Sequence, residues 1–319
     1  MSDRNGRAVA TAAAGAFCIA FSAIFVRLAE VDPATAAVFR CAYALPPLGL
    51  LAWWERRRFG PRGRGQRSLA LIAGVLFAAD LIFWHTSIEY VGAGLATVLG
   101  NTQVVLVGLL AWLVLGEKPE RRLVAATPVV LVGVVLISGI IGGDAYGANP
   151  GLGVLFGVLT GISYAGFILI LRQGNKDIRR PAGPLFDATL AAGIASAVAG
   201  AALGEVDFRP EWPAHGWLVL LALSSQVVGW LLISISLPRL PAALTSVVLT
   251  LQPVGSVILG IVLLSEEPSS VQLVGAGVIV IGLITATVRP KAPQAAPLEG
   301  GPGAGAGDRP TAEAGTRDS

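Results

Sequence analysis

Val129-Val130-Leu131-Val132-Gly133-Val134-Val135-Leu136-Ile137 is a run of nine apolar residues with no alternation of polar and apolar side chains. A strand of a membrane barrel would alternate over about ten positions, one face to lipid and one to the lumen. Inside hydrocarbon the backbone must satisfy its own N–H and C=O groups, and apart from a closed barrel only a helix does so. The run therefore reads as the middle of a helix that crosses a bilayer. Similar stretches lie to either side of it. Ten spans are read in all, at 8–28, 34–54, 68–88, 93–115, 123–141, 152–171, 184–203, 217–237, 242–264 and 271–288. Most approach the roughly 20 residues that cover a hydrocarbon core of about 30 Å. An all-α membrane protein of ten transmembrane helices is expected, and the even count puts both ends on one side. Composition agrees, because 54% hydrophobic and 13% charged residues leave too little polar surface to solvate a soluble chain of 319 residues.

The charges orient these spans. Of 23 Lys and Arg residues, 20 fall into alternate gaps: Arg4 and Arg7; Arg56, Arg57, Arg58, Arg62, Arg64 and Arg67; Lys118, Arg121 and Arg122; Arg172, Lys176, Arg179 and Arg180; Arg239; and Arg289, Lys291, Arg309 and Arg317. Opposite them stand only Arg27, Arg40 and Arg209. Short loops rich in Lys and Arg are retained in the cytoplasm, so both termini are expected there, and the basic balance needs no nucleic-acid partner. High Ala, Gly and Arg usage hints at a bacterial inner membrane. The first span continues past the small-residue run Ala12-Ala13-Ala14-Gly15-Ala16 and is read as an uncleaved helix. Cys18 and Cys41 both lie in spans, which leaves no disulfide framework. Residues 1–7 are read as a cytoplasmic tail, and 289–319, rich in Pro, Gly and Ala, as a disordered one.

The chain is also written twice. At an offset of about 149, Leu95 matches Leu244, Val98 matches Val247, Gln103 matches Gln252, Glu117 matches Glu266, Pro119 matches Pro268 and Gly133 matches Gly282. Five spans per copy is an odd number, so the copies, 8–141 and 152–288 joined by an outer linker at 142–151, should be two inverted five-helix repeats. The charges test this. Gly116-Glu117-Lys118-Pro119-Glu120-Arg121-Arg122 carries three cations and belongs inside; its counterpart Ser265-Glu266-Glu267-Pro268-Ser269-Ser270 carries none and belongs outside. Glu117 and Glu266 are expected to have a structural role near the positive end of the next helix, with Pro119 and Pro268 in its first turn.

At this point the chain resembles a known family. The paired repeats, the Arg early in the second span (Pro33-Ala34-Thr35-Ala36-Ala37-Val38-Phe39-Arg40), and a fourth or ninth span ending in Gly-Glu or Ser-Glu before Pro are similar to the EamA-like branch of the drug/metabolite transporter superfamily. The resemblance covers about residues 8–288. It implies a ten-helix carrier, in a family many of whose members export amino acids, metabolites or toxic compounds. One departure stands out. The family usually has a Pro midway along both the fourth and ninth spans, whereas here Gln252-Pro253 keeps it and Gln103-Val104 does not. Pro253 is expected to loosen or kink the ninth helix.

Ionisable groups in membrane helices are costly and are candidates for function. Arg40 and Asp80 sit at similar depth on the second and third spans and are expected to meet, either as a packing salt bridge or in binding substrate or protons. Asp80, His85 and Glu89 would form a proton-coupling relay. Tyr43, Trp84, Asn101, Tyr164, Trp230 and Gln252, with Arg40 and Gln226, would line a substrate-binding cavity suited to zwitterionic or aromatic solutes. Gly153, Gly157, Gly161 and Ala165 make a small-residue stripe that implies close helix packing within the bundle, or a dimer contact. Asp187 reads as a solvated helix start. No metal site is visible, since the only other histidine is His215, and no cofactor is called for.

The preferred function is a secondary active transporter exporting a small organic solute by alternating access, with the lipid bilayer as its medium and a monomer or weak homodimer as its state. No Gly-rich nucleotide loop appears, so an ion gradient or the solute's own gradient would drive it, with Asp80 or Glu89 protonation as the coupling step. The alternatives are an uncoupled facilitator or channel, a flippase for lipid-like cargo, and a membrane-embedded enzyme. The last lacks a nucleophile with a base, or a carboxylate and His cluster, in its charged loops.

Overall fold

The computed structural model describes residues 2–116, 118–142, 144–174, 177, 179–236 and 242–287. Every regular element among them is helical: α1 Ser2–Ala20, α2 Ser22–Ala29, α3 Pro33–Phe59, α4 Arg64–Val91, α5 Ala93–Gly100, α6 Gln103–Leu115, α7 Arg121–Ile137, α8 Pro150–Gly174, α9 Ala182–Leu203, α10 Ala214–Leu220, a π-helical segment Leu221–Gly229, α11 Trp230–Ser236, α12 Ala242–Leu264 and α13 Ser270–Thr287. Seven runs are long and apolar enough to cross a membrane: Arg7–Ala29, Pro33–Phe59, Arg64–Val91, Ala93–Val114, Pro150–Leu171, Ala182–Leu203 and Ala214–Ile233. Shorter apolar helices cover Thr250–Leu264 and Ser270–Ala286. Glu117 and the tail 289–319 lie outside the described residues.

α4 packs along α8 and α9, α3 along α9, α7 along α13, and α1 along α12 and α11. The larger core joins Ile24, Ile88, Val91, Leu95, Leu99, Leu218 and Leu221. A second core stacks Phe77 on Phe167 at 4.8 Å between ring centres, among Ala73, Leu81, Ala188 and Ala192. Large side chains also point outward, Leu113 at 74% and Val262 at 69% exposure, an apolar jacket that water would not tolerate and lipid does.

Small residues set the closest approaches. A Cβ on Gly133 of α7 would lie 2.7 Å from the Gly275 carbonyl oxygen of α13. Along α8, Gly153 faces Val91, Gly157 faces Leu99 and Gly161 faces Thr102, so the small-residue stripe is filled by this chain's own helices.

The helical assignment of α12 continues through Pro253, which removes one ladder bond from a 23-residue helix packed on α1 and α5. The fourth apolar run breaks between Gly100 and Gln103. There the Asn101 amide nitrogen donates to the Thr97 carbonyl at 2.8 Å, and the Thr102 hydroxyl donates to the Leu99 carbonyl at 2.6 Å. Such side chains offer the backbone an alternative to the helical ladder. The first run breaks similarly at Phe21, between α1 and α2.

Candidate solute-binding cavity

A cavity of about 240 Å3 opens beside the break in the fourth run. α3 and α4 supply Arg40, Asp80 and Trp84, the α5–α6 break supplies Asn101, α8 supplies Tyr164, and α11 and α12 supply Trp230 and Gln252. Arg40 is 4% exposed. Its Nε donates to Gln226 Oε1 at 3.1 Å, and the Gln226 amide donates onward to Thr189 Oγ1 at 3.2 Å. The guanidinium lies 5.7 Å from the centre of the Trp84 ring, within cation–π range. Gln226 belongs to the π-helical segment, a local unwinding frequent at functional sites.

Arg40 and Asp80 line the same space. Of the two readings of the pair, the packing salt bridge is not formed: no nitrogen–oxygen contact within 4.0 Å joins them among the described residues, and the Arg40 Nε goes to Gln226. Asp80, 7% exposed, has no hydrogen-bonding partner among the described residues, so its carboxylate faces the cavity. Tyr164 meets Trp230 edge-on at 6.0 Å and forms the aromatic wall with it. Thr97 and Thr160 also line the cavity; both were missed in sequence, where a lone hydroxyl in an apolar run carries no distinguishing signal.

Four of the expected site residues lie elsewhere. Gln226 is fully buried as the acceptor of Arg40 and does not itself line the cavity. The Tyr43 hydroxyl contacts His215 Nδ1 at 2.5 Å, and Tyr43 does not line the cavity. His85 and Glu89 line a second cavity of about 490 Å3 with Arg27, Glu30, Asp32, Tyr146 and Glu266. The relay's members are thus divided between two spaces. His85 Nδ1 lies 3.0 Å from the Pro33 carbonyl oxygen, an acceptor that fixes the ring proton on Nδ1 and leaves Nε2 as the acceptor. That Nε2 is buried without a hydrogen-bond partner among the described residues.

Each end of the molecule is tied by a buried acid that sequence reading misplaced or overlooked. Glu266 accepts from the Ala93 and Gly94 amides at 2.5 and 3.1 Å. It therefore caps α5, not the helix that follows it, because Gly92 and Gly260 leave room for the carboxylate against α5. Burial pushes its pKa up, and the two amide bonds and Arg27 only partly offset this. At the other end Glu55, unremarked within Trp54-Glu55-Arg56, accepts from the Ala182 and Gly183 amides at 2.9 and 2.8 Å and caps α9. Asp187 is not a solvated helix start. It is 5% exposed and is paired with Arg62, with Arg67 at 3.6 Å; burial lowers the Arg62 pKa, opposed chiefly by Asp187.

Among the described residues no group of three or more His, Cys, Asp or Glu is placed to hold a metal ion.

Comparison with known proteins places this architecture. The sequence profile of the EamA-like transporter family matches twice, at residues 6–139 and 151–288. An "Uncharacterized transporter" of Archaeoglobus fulgidus is 25% identical over 276 residues, 84% of this chain and 93% of the relative. One solved crystal structure covers 89% of this chain and 97% of its own, with a TM-score of 0.57 at 17% identity, a likeness of fold. With apolar helices of membrane-crossing length and a profile matched by both halves, the chain is a multi-pass membrane protein and belongs to the EamA-like transporter family.

Proposed function

We propose that this transporter is a secondary active carrier of ten membrane helices in two inverted five-helix repeats, exporting a small organic solute by alternating access around the central cavity. The observation that carries the reading is the cavity wall itself. Arg40, Asp80, Trp84 and Asn101 come from the first matched repeat, and Tyr164, Trp230 and Gln252 from the second. One cation and one carboxylate that is not hydrogen-bonded among the described residues, set among amides and aromatic rings, suit a zwitterionic or aromatic solute such as an amino acid or a drug.

The packing supports the repeat. Joining α1 with α2, α5 with α6, and α10 through α11 leaves ten segments. Exchanging the first five for the last five turns the α4–α8 contact into that of α11 with α1, and α4–α9 into that of the π segment with α3. The charge distribution supports cytoplasmic termini in a bacterial inner membrane: Arg62, Arg67 and Arg180 gather at one end, Glu30, Asp32, Glu89 and Glu266 at the other.

Asp80 is the residue assigned to coupling, because its carboxylate faces the cavity with no hydrogen-bonding partner among the described residues, and protonation there would change the charge that cargo meets. In reconstituted vesicles Asp80→Asn is expected to abolish uphill transport while the protein still inserts; normal uphill transport by this variant refutes the assignment. Cargo class is read by melting the purified protein with amino acids, nucleosides, polyamines and cationic drugs, since a ligand of the folded state raises Tm by mass action. A stabilising solute should lose its effect in Gln252→Ala. The apolar lining at Phe77, Leu81, Val104 and Ile233 favours a second reading, an uncoupled facilitator or a flippase of lipid-like cargo. Saturable flux with counterflow argues for the carrier, and linear flux for the facilitator.

A further inference from the structure

Between the end of α3, the start of α4 and the start of α9 lies a third cavity, of about 280 Å3. Arg56, Arg62, Arg67 and Arg180 line it, with Glu55, Asp187, Trp53 and Phe186. Both acids are already satisfied: Glu55 by two backbone amides, Asp187 by Arg62. The four guanidinium groups therefore outnumber the carboxylates, and several donors remain. Arg62 Nη1 is buried with no hydrogen-bond partner among the described residues. The Arg67 side chain is 58% exposed, with only a 3.6 Å approach to Asp187. Arg180 is anchored through Nε to Asp177 and through Nη1 to the Gly60 carbonyl, which fixes its position on the rim.

The surroundings say what kind of anion fits. Trp53 and Trp54 are 54% and 50% exposed, and Leu50, one turn earlier on α3, is 65% exposed. Arg57 and Arg58 each lie 5.2 Å above these indoles. Exposed tryptophans beside arginines mark the headgroup level of a bilayer, and an exposed leucine one turn away lies on the acyl-chain side. A basic pocket between helix ends at this level suits a lipid phosphate, whose oxygens match the arginine fork.

We propose that this pocket seats the phosphate of an anionic phospholipid in the leaflet at the basic end of the molecule, with Arg56, Arg62 and Arg67 as its donors and Trp53 beside the glycerol. The proposal rests on the multi-pass assignment and is independent of cargo and coupling.

The test titrates purified, delipidated protein with phosphatidylglycerol, phosphatidylcholine or inorganic phosphate, reading Tm and lipid retention by native mass spectrometry. Phosphatidylglycerol is expected to raise Tm and to remain bound, and phosphatidylcholine to do neither. Each arginine near an anionic headgroup is worth roughly fivefold in affinity, so Arg56→Gln with Arg67→Gln should weaken binding roughly 25-fold. Arg64→Gln with Arg121→Gln removes equal charge outside the pocket and should leave affinity unchanged. Arg62→Lys keeps a cation beside Asp187 but loses the fork, and should also weaken binding; if it does not fold, the Arg56 and Arg67 pair decides. An equal loss in the control pair, equal affinity for phosphatidylcholine, or a full shift with inorganic phosphate alone overturns the assignment.

Discussion

Replacing Glu266 with alanine removes the carboxylate that closes the start of α5 from across the molecule. Its two oxygens accept from Ala93 and Gly94, and at 4% exposure water cannot simply take its place. Each buried amide left without an acceptor costs about 1–3 kcal/mol, which bounds the pair at about 2–6 kcal/mol. The neighbouring cavity of about 490 Å3 can admit water and relieve part of this. A loss of about 3 kcal/mol is therefore expected, lowering Tm by roughly 6–12 °C at about 2–4 °C per kcal/mol. Glutamine retains one acceptor but turns an NH2 group toward the other amide, and should cost about half as much.

Glu266 also imposes a pH signature. Burial raises its folded pKa above the ordinary 4.5, so the folded protein holds this proton more tightly than the unfolded chain. The stability it contributes is full below pH 4.5 and is lost as pH rises through the folded value. Glu266→Gln has no proton to lose, so the gap between parent and variant should narrow with rising pH. Melting followed by intrinsic tryptophan fluorescence, the chain having seven Trp, reads both effects. An alanine variant as stable as the parent across this range would refute the capping argument.

Gly133→Ala places a methyl 2.6 Å from Ile279 Cγ1 and 2.7 Å from the Gly275 carbonyl. It should lower stability by about 1–3 kcal/mol, whereas Gly277→Ala in the adjacent helix meets nothing within 4 Å and should be neutral or stabilising in the same melts. Asp187→Ala strands Arg62 and should cost about 3–5 kcal/mol; joint replacement of both by apolar residues should recover much of that loss. Gln226→Leu removes the acceptor of the Arg40 Nε and should cost about 1.5–3 kcal/mol, with Gln226→Glu retaining stability because the acceptor remains.

The helical class was legible because hydrocarbon leaves few alternatives: an unalternating run such as 129–137 can only satisfy its backbone locally, and α7 covers it. The repeat was legible in Gln, Glu and Pro recurring in register, and the family profile matches both halves. Most of the cavity residues were found by asking which polar groups lipid would penalise, which is why Arg40, Asp80, Asn101 and Gln252 come together. Partnerships were not legible. Whether Arg40 turns to Asp80 or to Gln226 depends on helix rotation, and the π-helical segment that aims Gln226 has no strong local signature. Glu266 and Glu55 stabilise helix starts far away in sequence, which no reading confined to the next turn can find. The break at Asn101 was not legible because it carries no proline; two hydrogen-bonding side chains, of types that also occur inside helices, mark it.

The π-helical segment Leu221–Gly229 stores chain length. Its bonds reach one residue further back than those of an α-helix, as Trp230 N does to Ser225 O, so the segment holds more residues per turn. Deleting a residue there would let the ladder close into ordinary α form while both ends of the helix stay anchored. Gln226 would then rotate away from Arg40, whose Nε would lose its acceptor. A single-residue deletion in this segment would therefore act on the cavity through Arg40, a residue of its wall, without replacing any side chain that lines it.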